Sequence, residues 1–447
     1  MRSIPFALLA VALLASSASA AELSAVVQKA TAEVYAQPRF DAPRVATLPR
    51  NTEVRISAQH GLWYQLQMSA DAPAFVRVND VRMAYAGVED GEASLRVLMG
   101  GKAGKGRVTE TAGVRGIDES DLRAAAFNQV QLNAMLGFRV DAAAAAAYAR
   151  GQGWQATSVP YAGEASGAGQ SAASGSASVS DFAPSRAAVA KTVGALLGSL
   201  GVNVGSTLDT AARAAPKPEA ELAAQEIALG PEIAGRLLGA RPLWNDAAAQ
   251  QRVNLVGRWV ASQTSRPDLP WTFGLIDAPE VNAFAAPGGF ILVTRGLYQL
   301  LSSDSELAAV LAHEISHCVQ RDHYDVIRKQ ELASAGKDLA SRFVTAGNQS
   351  VAGSYARRYA EQNGAAIMLT SLDREAEYRS DEAAEFYLAS AGMNPLALYA
   401  VLQKLTALGS ESASLAQLYK THPPLAGRLD HIDQRGHAAL EAYTARD

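Results

Sequence analysis

The sequence predicts a multidomain fold: a small all-β module, then a mainly helical α+β domain carrying a small β-sheet. Three observations predict it. Between Leu23 and Met83, apolar and polar residues alternate in short runs separated by turns, the two-residue period of half-buried strands. A Gly/Ala/Ser tract, GEASGAGQSAASGSASVS from Gly163 to Ser180, cannot bury enough apolar surface to order itself. From Ser305 onward, SELAAVLAHEISHCVQ is a helical pattern without Gly or Pro. At 447 residues, with a formal net charge of −4, the chain has length for two or three domains. No basic run of useful length points to nucleic acid.

Taken in order, residues 1–20 read as a cleavable signal peptide. Arg2 supplies the positive start, Ile4 to Leu14 the apolar centre, and Ala18-Ser19-Ala20 the small-residue cleavage site. The apolar run is too short to span a bilayer. No cysteine follows the site, so a lipoprotein is not expected. The mature chain should begin near Ala21 and reach the periplasm of a Gram-negative bacterium.

Residues 23–86 form the β module. Gly61-Leu62-Trp63-Tyr64 before a strand and Phe75-Val76-Arg77 near the end resemble a bacterial SH3-like barrel. That resemblance implies binding or targeting to a protein or cell-wall partner. Residues 87–162 are an intermediate region, partly helical, with an Ala-rich stretch from Leu122 to Ala149 stopped by glycine. GGKAGKGR from Gly100 lacks the Ser/Thr and the leading-glycine spacing of a phosphate loop and reads as a solvated turn. Residues 163–182 are the linker and 183–220 an apolar, glycine-broken connecting segment. The latter is too interrupted for a membrane span, and none is expected in the mature chain. Cys318 is the single cysteine, so no intrachain disulfide forms, and it reads as a small buried hydrophobe.

Within residues 221–436 the deciding stretch is His313-Glu314-Ile315-Ser316-His317. Residues four apart share a helix face, so both imidazoles can reach one metal ion. Glu314, rotated about 100° from His313, sits beside the ligands, where it can hold an activated water. A third ligand is needed, and two candidates compete. His323 follows His317 at the spacing of enzymes whose third histidine swings back after a glycine, but that position is Gln320. On a continuing helix His323 would lie about 9 Å farther along the axis. Glu377 lies on a second helical segment, Leu372 to Ala389, which ends near Gly392 with Pro395 opening the next helix. It shares a face with Asp381, and Glu375 is a rival carboxylate on nearly the opposite side.

Four ordered blocks carry a family resemblance. They are Pro279-Glu280-Val281-Asn282-Ala283-Phe284 with Pro287-Gly288-Gly289 and Gly296-Leu297; Glu306-Leu307-Ala308 running into HEISH; Glu377 and Asp381 with Gly392-Met393-Asn394-Pro395; and Thr421-His422-Pro423-Pro424 with Arg428. Together they resemble the HtpX/CAAX-protease/BepA–LoiP clan of zinc metallopeptidases over roughly Glu221 to Gln434. Ser380 replaces the alanine common before the aspartate. The resemblance implies a zincin-like metallopeptidase domain with one Zn2+ held by His313, His317 and Glu377, and Glu314 as catalytic base. It implies Asp381 and Arg428 beside the ligands, and His422 as a switchable fourth ligand that keeps the enzyme latent, or a transition-state donor.

The expected activity is metal-assisted peptide hydrolysis. Gly289 to Thr294 is an apolar β run reached through a Pro-Gly-Gly turn. An edge strand here would pair with extended substrate through Phe290, Ile291 and Leu292, with Asn282, Ala283 and Phe284 close by. Such a site suits unfolded or misassembled envelope polypeptides. Ala333 to Thr370 is long enough to cover the cleft. Two alternatives are a client-holding chaperone or adaptor with a plugged metal site, and a cell-wall-directed hydrolase.

Overall fold

The computed structural model describes residues 23–68, 72–83, 98, 119–159, 161, 163, 219–335, 351–363, 365–409 and 412–445. The expected leader, the linker beyond Gly163 and nearly all of the connecting segment lie outside these residues. So do 336–350 of the expected cover.

Among the described residues, seven short strands come first: β1 (Leu23–Val27), β2 (Thr31–Tyr35), β3 (Arg44–Pro49), β4 (Glu53–His60), β5 (Trp63–Leu66), β6 (Ala74–Arg77) and β7 (Val81–Met83). They form one antiparallel sheet in the order β3-β2-β6-β5-β4-β1-β7. Alternation is clean where one face is buried, as in β1, where Leu23, Ala25 and Val27 point inward.

Among its described residues the intermediate region carries α1 (Glu119–Ala124), α2 (Gln129–Gly137) and α3 (Ala142–Gly151). Asn128 and Asp141 each accept a backbone N–H three residues ahead, and so start α2 and α3. The Ala-rich pattern hid these interruptions because neither break needs Gly or Pro.

The remainder comprises α4 (Glu219–Ala240), α5 (Ala247–Ala261), β8 (Thr272–Ile276), β9 (Ala283–Ala286), β10 (Phe290–Thr294), α6 (Arg295–Leu300), α7 (Asp304–Gln320), α8 (Asp322–Ala335) and α9 (Val351–Asn363). After these come α10 (Arg374–Ser390), α11 (Leu396–Thr406), α12 (Leu418–Thr421), α13 (Leu425–Arg435) and α14 (Glu441–Thr444). No described helix is long and apolar enough to cross a membrane.

The second sheet has the order β8-β10-β9, with β10 parallel to β8 and antiparallel to β9. Its two faces feed two cores. Phe273, Leu275, Ala285, Ile291 and Val293 pack with α5 and α7, whereas Ile276, Phe284, Phe290 and Leu292 pack with α2 and α4. Gly288 and Gly289 turn β9 into β10 at φ 73 and 88. A Cβ on Gly288 would sit 2.8 Å from the Ile227 Cα.

Strand order corrects one expectation. β10 is central, so Phe290, Ile291 and Leu292 have neighbours on both sides and offer no free edge to an extended chain. Backbone groups on the outer edge of β8 are also taken. Asn254 bonds the N–H and C=O of Phe273, and Gln250 those of Leu275. Among the described residues no strand lies beside the outer edge of β9, Ala283–Ala286, one element away from the expected place.

The N-terminal sheet docks against α11 and α13. Leu396, Ala400 and Ala407 complete its core. Gln403, fully buried, donates to the carbonyls of Val78 and Val81 and accepts from Met83 N–H. Gln28 reaches Tyr399 and Asp433, and Arg82 pairs with Asp430 and Asp433 at 2.7 and 2.6 Å. At the start of α7, Glu306 binds buried Lys404 through both oxygens and also accepts from Gln59 of β4.

Candidate metal centre

Ser303 caps α7 through its side chain, and the helix runs to Gln320 with every residue from Glu306 to Val319 buried. His313 and His317 therefore share the inward face, and their Nε2 atoms lie 3.2 Å apart. α10 packs directly against α7 and brings in the third group. It starts at Asp373, whose carboxylate accepts the Ala376 N–H, and ends before Gly392 at φ 77. Glu377, fully buried, places its oxygens 3.5 Å from His313 Nε2 and 3.8 Å from His317 Nε2. Glu375, two residues earlier and nearly on the opposite side of the helix, is exposed.

His422 arrives from the turn between α12 and α13, its Nδ1 2.8 and 3.0 Å from the two Glu377 oxygens. One donor atom from each of His313, His317, Glu377 and His422 lies within 4.8 Å of all the others. Glu314 lines the same cavity together with Ala283, Phe284, Met368, Leu372 and Thr421. The free volume there is about 10 Å³, near the space of one water.

Each ligand imidazole is oriented from behind. His313 Nδ1 lies 2.9 Å from Asp381 Oδ1, and Arg428 clamps that carboxylate through Nε at 2.8 Å and Nη2 at 2.5 Å. His317 Nδ1 lies 2.8 Å from Asp322 Oδ2, with Ser380 Oγ at 3.1 Å. Arg379 steadies Asp322 from the solvent side. An Nδ1 that donates to a carboxylate leaves Nε2 as the lone-pair side of a neutral ring. Two such lone pairs face each other beside a carboxylate, an arrangement that calls for a cation. On tetrahedral zinc with N bonds of 2.0–2.1 Å the two nitrogens would lie about 3.3 Å apart, close to the distance here. The residues fit the ion.

Asp381 and Arg428 stand beside His313, the resemblance having implied only that they lie beside the ligands. Asp322 was missed. α7 stops at Gln320 because Arg321 takes a left-handed conformation (φ 64, ψ 25) without being glycine. The helix therefore does not carry His323 away. Its ring centroid is 6.1 Å from that of His317, it lines the cavity, and it stands outside the four-donor group. Burial, then the nearby His317, holds its pKa down to about 3, so it stays neutral. Asn282 is fully buried behind β9 and accepts from Thr421 at 3.5 Å. Cys318 points into the core, where burial pushes its thiol pKa up.

Charge balance in the metal-free cluster gives a pH signature. Burial would raise the Glu377 pKa, yet the imidazoles of His422, His313 and His317 hold it well below the usual range. Burial and Arg428 pull His313 down, but the hydrogen bonds it donates to Asp381 and Glu377 outweigh them and raise it to about 9. A raised imidazole pKa stabilises the fold fully below about 6.5 and loses that contribution as pH climbs through 9. Metal-free protein should therefore lose on the order of 3 kcal/mol between pH 6.5 and 9. Zinc-loaded protein should not, because the ion replaces the proton. Thermal unfolding of both forms across that range checks it.

The family profile described as Peptidase family M48 matches residues 247–436. The chain is 28% identical over 241 residues to the beta-barrel assembly-enhancing protease of Escherichia coli (strain K12), covering 52% of this chain and 45% of that protein. It is 28% identical over 166 residues to the metalloprotease LoiP of the same strain, covering 37% of this chain and 63% of that one. To the mitochondrial metalloendopeptidase OMA1 of Arabidopsis thaliana it is 29% identical over 155 residues, covering 35% and 29%. The chain spans about half the length, or less, of the first curated relatives it matches.

Proposed function

Residues 247–436 belong to peptidase family M48, and from that premise we propose that the chain is a zinc metalloendopeptidase of the bacterial envelope, cleaving unfolded or misassembled polypeptides. The observation that carries the reading is the convergence of His313, His317 and Glu377 from two helices on one point, with Glu314 lining the same cavity. Two relatives whose names speak of beta-barrel assembly and metalloproteolysis support the envelope setting, as does the leader read at residues 1–20.

His313, His317 and Glu377 hold the ion, and Asp381, Arg428 and Asp322 keep the two rings aimed. A zinc ion bound there would supply Lewis acidity toward a peptide carbonyl and would lower the pKa of a nearby water. Glu314 accepts the proton of that water as it attacks, then delivers it to the leaving amine nitrogen as the C–N bond breaks. An extended substrate pairs with β9, whose backbone at Ala283–Ala286 reads main chain rather than side chain. A folded protein cannot present such a strand.

The small cavity and the place of His422 among the donors support a latent resting state in which this histidine fills the fourth position. The first partner of the N-terminal sheet is the chain itself, through α11 and α13. This contact supports a structural role for the sheet beside any external binding.

Zinc-loaded protein is expected to degrade a permanently unfolded chain such as casein while sparing a stable folded protein. His422→Ala should raise the casein rate about tenfold, the gain expected if the open state is a minor population. Time courses on gels check both. Casein left intact by wild type and variant alike would remove the peptidase reading and favour a client-holding adaptor.

A further inference from the structure

Glu226 lies on α4, upstream of the matched residues, and is fully buried. Two guanidinium groups hold its carboxylate. Arg266 donates through Nη1 to Oε1 and through Nη2 to Oε2, both at 2.8 Å, and Arg321 Nε donates to Oε2 at 2.8 Å. A desolvated carboxylate survives only when charged donors surround it, and these donors have fixed positions. Arg266 Nη1 also reaches the Cys318 carbonyl at 2.9 Å, so the cluster grips the last turn of α7 directly.

What Arg321 does there bears on the metal centre. Its left-handed backbone is one that L side chains seldom adopt, and it persists only where surrounding contacts over-determine it. That conformation sets the direction in which the chain leaves α7. The next residue is Asp322, whose Oδ2 lies 2.8 Å from His317 Nδ1. An arm therefore runs from Glu226 through Arg321 to Asp322 and ends on a ring that aims at the ion.

We propose that Glu226 is a positioning residue for the metal centre: it locks Arg321 in the left-handed turn that delivers Asp322 to His317. It touches neither ion nor substrate and acts through the orientation of one imidazole. The proposal rests on the metal-site reading above.

The test uses full-length protein and zinc affinity measured by competition with a chromogenic chelator, alongside thermal unfolding. Loss of a group that orients a ligand weakens metal binding by about 10- to 100-fold. Asp322→Asn and Glu226→Gln should each weaken zinc by about tenfold or more, and the double variant should be no weaker than Asp322→Asn alone. Arg321→Ala breaks the arm while leaving Glu226 with Arg266, so it decides the matter if Glu226→Gln fails to fold. It should weaken zinc similarly, and Arg321→Gly, which accepts the turn freely, should recover most of the loss. Folded Glu226→Gln and Arg321→Ala proteins that bind zinc as wild type does would overturn the proposal, whatever their melting temperatures. So would effects that multiply with Asp322→Asn. Wild type that binds no zinc would overturn the metal-site reading, and this proposal with it.

Discussion

Glu314→Gln is expected to lower casein cleavage by about 10²- to 10⁴-fold while zinc binding stays within about twofold of wild type. The change keeps side-chain size and removes the negative charge and with it the ability to accept a proton. Glu314 is buried at the metal cavity but stands outside the four-donor group, so the ion should not notice its loss. The same variant separates the peptidase from a client-holding adaptor. Binding of unfolded chain kept, with cleavage lost, is the expected pattern. Unchanged cleavage would remove Glu314 from the chemistry.

The second large effect concerns Glu377, the group that joins the two halves of the site. α7 alone supplies two nitrogens, and two imidazoles without a third ligand hold zinc weakly. Removing the carboxylate also removes the partner that His422 leans on and leaves two lone pairs facing a void. Glu377→Ala should weaken zinc by more than about 100-fold, beyond the range seen when only an orienting neighbour is lost. Casein cleavage should fall in parallel.

What the sequence carried was whatever a fixed helical period encodes. His313 and His317, and likewise Glu377 and Asp381, are four residues apart, and a four-residue step on a helix allows one geometry. Short strands between Leu23 and Met83 were legible from a two-residue alternation, which β1 follows although β6, buried throughout, does not. Illegible were features that depend on a distant partner. Phe290 to Leu292 read as a strand, and they form one, but whether a strand is an edge is decided by its neighbours. Asn254 and Gln250 sealing β8 leave no local trace. Asp322 went unseen because a left-handed Arg321 looks like ordinary helix continuation. Glu226 lies 95 positions before Arg321 in the chain, beyond any pattern-based reading. Gln403, which ties the N-terminal sheet to α11, resembles any polar helix residue until its three bonds are seen.

Zinc affinity of purified wild type and Glu377→Ala, measured side by side with metal content, tests the central claim most directly. One tightly held zinc per wild-type chain, and its loss from a folded Glu377→Ala protein, is the predicted result. A Glu377→Ala chain that keeps one zinc at wild-type affinity would contradict a site shared between α7 and α10.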